Sequence, residues 1–398
     1  MDQISYRVEA ISESETLVMS QKSKELQAQG IDVINLSVGE PDFATPEHIK
    51  AAAKKAIDEN FSYYTPVSGY PQLRKLISEK LERENGLSYL PEQIVVSNGA
   101  KHSLMNAIFT LVNPGNSVIV PAPYWVSYLE MVKVVEGKSV VLSTTGKSDY
   151  KITASQLEAA ITPSTKLLLL NSPSNPSGSV YSHDELASLV DVLKKYPDIW
   201  VISDEIYEYI NFEGQHFSIA SFPEMKERTV IINGVSKGFA MTGWRIGFLA
   251  APKHISKACE KLQGQQTSGS CSISQMAAIA AYSGGLDAPL KMREAFRKRR
   301  DLILTLIKEI NEIKVNKPSG AFYIFPDISY YIGKKFNGKT IENADQLSMY
   351  LLEEGHVATV SGCAFGSPDN IRISYAASDE KIIEAMKRLK IAFSNLSS

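Results

Sequence analysis

The chain has 398 residues, of which 44% are hydrophobic and 22% charged, a composition typical of globular proteins that divide into roughly two or three domains at this length. Lys plus Arg (42) and Asp plus Glu (44) nearly balance, so the charge gives no indication of a nucleic-acid or anionic-membrane partner. The three cysteines and six histidines lack metal-ligand spacings, and the first residues lack the apolar core of a signal peptide, so we expect a cytoplasmic protein without bound metal or membrane contact.

Short apolar segments predict strands through the middle of the chain, and several are continuous Val, Ile and Leu runs. Such runs are typical of strands that are covered on both faces. The predicted strands are residues 93–97, 117–121, 166–171, 200–203, 229–234 and 246–250. Amphipathic helical stretches separate most of them, for example the stretch that follows Lys101. This order of elements predicts an α/β fold with a mostly parallel sheet.

The last third of the chain has a different pattern. A long charged helix is predicted over residues 289–310, and a final helix is predicted to begin after Ser378, a good N-cap residue. Strands are predicted between them at residues 321–326, 357–360 and 371–375. We interpret this part as a smaller α+β domain that the amino-terminal arm joins. The predicted division is a large domain of residues 48–285 and a second unit of residues 1–47 and 286–398.

Lys237 is the most informative single residue, because it follows the apolar run at 229–234 in a segment of small side chains. A lysine amine is a useful nucleophile when its site activates it, usually to form a Schiff base with a carbonyl compound. Arg245, eight positions later, would suit a phosphate on that compound. For a lysine taken alone, a surface position in a glycine-rich turn is the commoner explanation. The assignment therefore depends on the other parts of a cofactor site.

Asp204 ends a predicted buried strand, which is where open α/β sheets bind ligands. A buried carboxylate needs a positive partner, and a protonated pyridine nitrogen would be one. Tyr207 could donate its hydroxyl to an oxygen on the same ring. Asn175, in the turn after residues 166–171, could hold that oxygen and a substrate carboxylate. The alternatives are a helix cap for Asp204 and an ordinary turn for Asn175.

Three further positions have a functional and a structural interpretation. Gly99 lies in a turn before a helix, whose first N–H groups could bind an anion, although a plain turn is the alternative. Trp125 could stack on a flat ring or pack in the core. Arg372, inside an apolar strand pattern, could bind a substrate carboxylate or form a structural ion pair.

These motifs follow one another over nearly the whole chain. They are Gly39-Glu40-Pro41-Asp42-Phe43, Tyr63-Tyr64, Ser97-Asn98-Gly99-Ala100-Lys101, Tyr124-Trp125, Ser174-Asn175-Pro176, Asp204-Glu205-Ile206-Tyr207, Ser236-Lys237, Ser319-Gly320-Ala321-Phe322-Tyr323 and Arg372. Together they resemble the class I and II aminotransferases of pyridoxal phosphate (PLP) fold type I, and most of all the bacterial aspartate/prephenate branch. The resemblance implies a large domain with a mostly parallel seven-stranded sheet between helices, a smaller α+β domain, and a homodimer with shared active sites.

The resemblance also implies roles for single residues. Lys237 would carry PLP covalently and would move the proton between the substrate α-carbon and the cofactor. Asp204 would pair with the ring nitrogen, while Tyr207 and Asn175 would bond the ring oxygen. Trp125 would stack on the ring. Lys237, Asp204 and Tyr207 are the predicted catalytic residues.

Three anionic groups would be bound according to the same resemblance. The phosphate would be bound by Gly99, Ala100, Lys101, Ser236, Arg245 and, from the neighbouring subunit, Tyr64. The substrate α-carboxylate would be bound by Arg372, Asn175 and Gly39, and the substrate would also contact Trp125. A distal carboxylate would be bound by Lys101 and Thr16. This set implies amino transfer between aspartate, or a related dicarboxylic donor, and 2-oxoglutarate, with prephenate as a further acceptor.

Several alternatives stay open at this point. On the same fold, an aromatic or alanine-type aminotransferase or a PLP β-lyase would lack the dicarboxylate preference, and Lys101 argues against both. A PLP-sensing module without turnover would carry a DNA-binding domain, and fewer than fifty residues precede the predicted sheet domain. Thr16 could instead be a helix N-cap. Ser361 stands where the family pattern usually has proline, which leaves fine specificity open.

Overall fold

The computed structural model describes residues 4–397. Residues 1–3 of the predicted arm, which also begin the segment assessed for a signal peptide, lie outside the described residues, as does residue 398. Within residues 4–397, no helix combines the length and the apolar character needed to cross a membrane.

Fourteen α-helices form within the described residues. They are α1 (Tyr6–Glu9), α2 (Glu15–Ala28), α3 (Glu47–Asp58), α4 (Pro71–Asn85), α5 (Ala100–Leu111), α6 (Ser127–Val134), α7 (Ala154–Ala160), α8 (His183–Leu193), α9 (Pro223–Lys226), α10 (Lys253–Gln266), α11 (Ser272–Ser283), α12 (Asp287–Ile307), α13 (Ala344–Glu353) and α14 (Asp379–Ser394). The prediction for the last helix is confirmed, because Ser378 is its N-cap and its side chain accepts a hydrogen bond from the Lys381 N–H.

The same residues form fourteen strands. They are β1 (Ile34–Asn35), β2 (Ile94–Ser97), β3 (Ser117–Ala122), β4 (Lys138–Ser143), β5 (Thr165–Asn171), β6 (Trp200–Asp204), β7 (Thr229–Gly234), β8 (Gly247–Ala250), β9 (Tyr323–Ile324), β10 (Lys335–Phe336), β11 (Lys339–Thr340), β12 (Val357–Ala358), β13 (Val360–Ser361) and β14 (Ile371–Ser374).

The main sheet has seven strands in the order β2-β8-β7-β6-β5-β3-β4. Strand β8 runs antiparallel to its neighbours β2 and β7, and the remaining neighbouring pairs are parallel. Both faces are covered: Ile94 and Val96 of β2 pack into one apolar cluster, while Val95 packs into another on the opposite face. The predicted α/β fold with a mostly parallel seven-stranded sheet is therefore confirmed.

The predicted strands of this sheet end within one residue of the observed bounds, but strand β4 was missed. It is an edge strand whose side chains are exposed or only partly buried, so it has no continuous apolar run. The long helix was also misplaced: it begins at Asp287, with Pro289 in its first turn, and ends at Ile307 instead of residue 310. Proline is tolerated in the first turn, where its missing N–H would have no helical partner.

Three small sheets accompany the carboxyl-terminal part of the chain. Strands β13, β14 and β9 form an antiparallel sheet, β10 pairs with β11, and β1 of the arm pairs in parallel with β12. The predicted strand at 321–326 is only the two residues of β9, and that at 357–360 is divided into β12 and β13. Ile34 and Leu36 of the arm belong to the same apolar cluster as Leu389. The exact domain boundaries stay a prediction.

Candidate active site

The candidate site lies at the carboxyl ends of three adjacent parallel strands. Asn171 ends β5 and Asp204 ends β6, and the two residues are paired in the sheet register. Strand β7 ends at Gly234, and Ser236 and Lys237 follow it directly. Because these strand ends meet at one edge of the sheet, residues far apart in sequence line one cavity of about 540 Å³.

The cavity brings together most of the predicted site residues. Those that line it are Thr16, Gly39, Ala100, Lys101, Trp125, Asn175, Asp204, Tyr207, Ser236, Lys237, Arg245 and Arg372. Its charged lining consists of four cations, Lys101, Lys237, Arg245 and Arg372, and one carboxylate, Asp204. Within residues 4–397, none of these four cations has a carboxylate oxygen within ion-pair distance. The cavity is therefore built to receive anions.

Lys237 is held in a partly buried position, and its Nζ donates a hydrogen bond to the carbonyl oxygen of Gly39. Burial lowers the pKa of its amine to about 8 against an opposing effect of Glu40, with Arg372 and Arg245 adding to the decrease. A lysine with this pKa is still mostly protonated near physiological pH, but a much larger fraction of it is neutral than for an ordinary lysine, and the neutral form is the one that a nucleophile and a proton acceptor require.

Asp204 is 4% exposed and accepts two hydrogen bonds. The hydroxyl of Tyr128 donates to Oδ2 at 2.7 Å and the N–H of Ile206 donates to Oδ1 at 3.3 Å. Burial raises the pKa of Asp204 to about 6, while the two hydrogen bonds act in the opposite direction. No helix begins after Asp204, where the chain forms turns, so the helix-cap alternative is wrong.

Arg372 is 1% exposed, and its guanidinium faces acceptors but no acid in the described part of the chain. One terminal nitrogen donates to Asn175 Oδ1 at 2.9 Å, the other donates to the carbonyl oxygen of Ser37, and Nε has no partner within residues 4–397. The structural ion pair considered from the sequence is thus not formed. Since a guanidinium only donates, the Asn175 oxygen must face it, which leaves the Asn175 amide N–H groups as donors for the cavity.

Gly99 and Arg245 shape the region at the start of α5. Gly99 has a φ of +83°, and a Cβ at this position would lie 2.2 Å from an Arg245 terminal nitrogen, so only glycine fits. The guanidinium donates to the Thr242 carbonyl oxygen at 2.8 Å. No side chain of the described residues caps α5, so its first N–H groups remain donors beside a cation. Gly99 does not line the cavity itself, but its lack of a side chain allows Arg245 to lie close to the start of α5.

Lys101 and Trp125 lie together on one wall of the cavity. The Lys101 ammonium is 4.9 Å from the centre of the Trp125 ring. Burial lowers the pKa of Lys101, and Arg245 acts in the same direction. Trp125 is partly buried: it lines the cavity and also packs against an apolar cluster of the core. Thr16 is within α2, whose N-cap is Ser14, so the N-cap alternative for Thr16 is wrong.

Two tyrosines of the cavity were given no role by the sequence. Tyr128 is on α6, one turn after Trp125, and reaches Asp204. Tyr323 shares a 2.8 Å hydrogen bond with the hydroxyl of Tyr207, and its ring is 4.6 Å from the Arg372 guanidinium carbon. The signal for Tyr323 was its place in the Ser319–Tyr323 motif. Nothing in the local pattern distinguished Tyr128.

Tyr64 is the predicted site residue that the structure places elsewhere. Its side chain is 99% exposed and does not line the cavity, and the neighbouring Tyr63 is 82% exposed. Ser361, the departure from the family pattern, is also outside the lining; its side chain accepts a hydrogen bond from the Cys363 N–H at the start of a short 3₁₀ turn.

A buried charged cluster supports the turn that follows β6. Glu205 accepts hydrogen bonds from Ser203, Ser218 and His216. Glu208 accepts hydrogen bonds from Lys80 and Asn85. Glu205, Glu208 and His216 have potential metal-ligand atoms within 4.8 Å of one another, but Lys80 already supplies a cation to this cluster. The cluster therefore stabilises the turn beside Asp204.

Comparison with known proteins identifies relatives over nearly the full length. An "Aspartate/prephenate aminotransferase" of Cereibacter sphaeroides is 46% identical over 390 residues, which are 97% of this chain and 98% of the relative. The crystal structure of the aspartate aminotransferase from Rhizobium meliloti superposes with a TM-score of 0.96 at 42% identity, covering 100% of both chains. An aspartate aminotransferase from Thermus thermophilus, solved with maleate, superposes with a TM-score of 0.92 at 39% identity, covering 98% of this chain and 100% of that one.

The family model described as "Aminotransferase class I and II" matches residues 31–389. This match includes all candidate site residues except Thr16, which lies in the arm before it. The family resemblance and the transaminase activity predicted from the motifs are both confirmed. The chain belongs to the class I and II aminotransferases.

Proposed function

We propose that this enzyme is a PLP-dependent aspartate aminotransferase that transfers the amino group of L-aspartate to 2-oxoglutarate. The observation that carries the proposal is the charge of the cavity, where four cations without ion-pair partners in the described residues face one carboxylate. Arg372 is buried and Lys237 is partly buried, and an unpaired buried cation is costly, so such a site is more stable when anions bind it. PLP has one phosphate and a dicarboxylic substrate has two carboxylates, and together these anions balance the excess positive charge of the cavity.

The residues present fit PLP. The uncapped start of α5 and Arg245 form a cradle for a phosphate, and the glycine at position 99 leaves the space that the Arg245 guanidinium needs beside this helix start. Asp204 is a buried acceptor without a cation partner in residues 4–397, which suits a protonated ring nitrogen. Ser236 lines the cavity beside Lys237 and supplies a further donor.

The side chains of the cavity have separate tasks toward the cofactor and the substrate. When bound, PLP would supply an electron-accepting ring that stabilises the negative charge left on the substrate α-carbon. Lys237 would carry the cofactor, and its Nζ would remove and return the α-proton of the substrate. Asp204 would keep the ring nitrogen protonated, while Tyr207 and the amide of Asn175 would donate to the ring oxygen. Trp125 would stack on the ring.

Two cations are assigned to the substrate. Arg372, oriented by Asn175, binds the α-carboxylate, and its unpartnered Nε and position beside Gly39 fit a planar anion. Lys101 binds the distal carboxylate, and Thr16, which also lines the cavity, assists it. The Thermus thermophilus relative solved with maleate, a four-carbon dicarboxylate, supports this assignment. Prephenate is proposed as a further acceptor, after the name of the Cereibacter sphaeroides relative.

We infer that the enzyme works as a homodimer with shared sites. Tyr64 is 99% exposed and is not among the residues that line its own cavity, although the family resemblance gives it a phosphate contact. Tyr64 of the partner subunit would supply this contact. The exposed aromatic pair Tyr63-Tyr64 would then be covered by the partner.

A panel of amino donors with 2-oxoglutarate tests the substrate assignment. The holoenzyme is assayed with aspartate, alanine and phenylalanine at equal concentrations, and kcat/KM is expected to be highest for aspartate. A high value for phenylalanine or alanine with inert aspartate would identify an aromatic or alanine-type enzyme. Release of ammonia and pyruvate from a β-substituted donor, without transamination, would identify a β-lyase. PLP binding without any turnover would leave only a sensing module.

A further inference from the structure

The carboxylate of Asp204 has one side-chain hydrogen-bond donor within residues 4–397, and this donor is Tyr128. The phenol oxygen is 2.7 Å from Oδ2, and Oδ1 accepts only the longer bond from the Ile206 backbone. Each carboxylate oxygen can accept more than one hydrogen bond, so the Tyr128 contact leaves room for a further donor from the cavity. Tyr128 and Asp204 both line this cavity.

Tyr128 is fixed in place by its surroundings. It is 2% exposed, and its ring meets Trp125 edge to face, with 5.5 Å between centres and 85° between planes. Burial and the nearby charge of Asp204 raise the pKa of the Tyr128 phenol well above its usual value. The phenol therefore keeps its proton and donates to the carboxylate at every pH at which the enzyme works.

The bond affects the charge on Asp204. Burial favours the neutral carboxyl, and a hydrogen bond to the ionised form opposes that preference. Without the hydroxyl, Asp204 would hold its proton to a higher pH and would turn more freely about its χ angles. A neutral, misoriented carboxyl is a poor partner for a protonated ring nitrogen.

We propose that Tyr128 is a positioning residue, which orients Asp204 and keeps it ionised so that it accepts the ring N–H of PLP. This inference rests on the proposed function, since it requires PLP in the cavity. The two are separable by experiment: wild-type protein that fails to bind PLP refutes the proposed function, whereas the comparison of variants decides the role of Tyr128.

The test is a titration of the apoenzyme with PLP between pH 5.5 and 8.5, followed by the absorption of the bound cofactor. Tyr128→Phe should weaken binding roughly tenfold to hundredfold, the range for a hydrogen bond to a charged group. The loss should be largest at low pH, and the pH below which affinity falls should be higher than in the wild type. A merely structural role would change affinity by the same factor at every pH.

Two further variants complete the experiment. Tyr181→Phe is the matched control, because the Tyr181 phenol is also buried but lies outside the cavity lining. It takes part in one hydrogen bond, which it accepts from the Ile152 N–H. The affinity of the Tyr181→Phe variant for PLP should stay within about twofold of wild type. In an Asp204→Asn background, Tyr128→Phe should have little additional effect. The inference would be overturned if Tyr128→Phe weakened PLP binding as much in the Asp204→Asn background as in the wild type, or if the loss of affinity in Tyr128→Phe did not depend on pH. Urea unfolding of each apo variant separates misfolding from weak binding.

Discussion

Replacing Asp204 with asparagine should stabilise the apoenzyme while it weakens PLP binding. In the absence of a cationic ligand, the carboxylate is buried with two hydrogen bonds and no ion pair in the described residues. Burial raises its pKa to about 6 from an ordinary value of 3.8. The folded state therefore holds the proton more tightly than the unfolded state does, so the free energy of unfolding falls as the pH rises from about 4 to above 6.

The free energy that burial of the ionised Asp204 costs the folded apoenzyme follows from the rise in its pKa. About 2.2 pKa units at 1.36 kcal/mol per unit is roughly 3 kcal/mol above pH 7, with about half of it already present at pH 5. The Asp204→Asn variant has no charge to bury at this position, and the Tyr128 hydroxyl can both donate to and accept from an amide. The apo variant should therefore gain up to about 3 kcal/mol at pH 8, less whatever the hydrogen bond to Ile206 loses.

Urea unfolding of both apoproteins at pH 5 and pH 8, at equal protomer concentration, measures the effect. The advantage of Asp204→Asn should grow by on the order of 1 kcal/mol between the two pH values. With saturating PLP the order should reverse, because the wild type gains more from the ligand. If the stability difference between Asp204→Asn and the wild type were the same at both pH values, or smaller at pH 8, Asp204 would not be a buried charge that destabilises the apoenzyme until PLP binds.

Three further outcomes are expected. Lys101→Ser should raise KM for aspartate roughly tenfold to hundredfold and leave KM for alanine nearly unchanged, since only aspartate has a distal carboxylate. Equal changes in KM for both donors would show that Lys101 does not determine substrate specificity. Arg372→Lys should weaken aspartate and alanine alike, by about tenfold or more, because a lysine cannot replace the two-pronged guanidinium; a loss confined to aspartate would contradict this. Hybrid dimers of Tyr64→Phe and Lys237→Ala chains should contain one intact site and show wild-type PLP affinity there. Hybrids with the weakened affinity of Tyr64→Phe homodimers would place Tyr64 in its own subunit's site.

The main sheet could be predicted from sequence because its strands are buried on both faces. Short continuous apolar runs such as that of β7 are typical of strands buried on both faces, and here the predicted strands end within one residue of the observed ones. Strand β4 could not be found this way, because four of its six residues are exposed at the sheet edge. The two-residue strands β9 and β12 are defined by pairing partners far away in the chain, so local patterns overestimate their length.

Without the family resemblance, the site was most readily predicted where a residue type was chemically unusual for its position. A lysine after a buried strand, an acid at a strand end and an arginine inside a strand were such cases, and the structure brings Lys237, Asp204 and Arg372 to one cavity. Tyr128 gave no such signal, because a tyrosine on an amphipathic helix is ordinary and its contact with Asp204 spans 76 positions. The absence of an ion pair at Arg372 likewise depends on tertiary packing, which no local pattern contains.

The central claim is that PLP is carried by Lys237, and chemical trapping tests it most directly. Borohydride reduction of the PLP-loaded enzyme fixes the cofactor to the lysine that carries it, and mass spectrometry of the digest locates the modified residue. The account predicts a single pyridoxyl-phosphate modification on Lys237, which is absent after reduction of Lys237→Ala. Modification of another lysine in place of Lys237, or of none in a protein that transaminates, would contradict it.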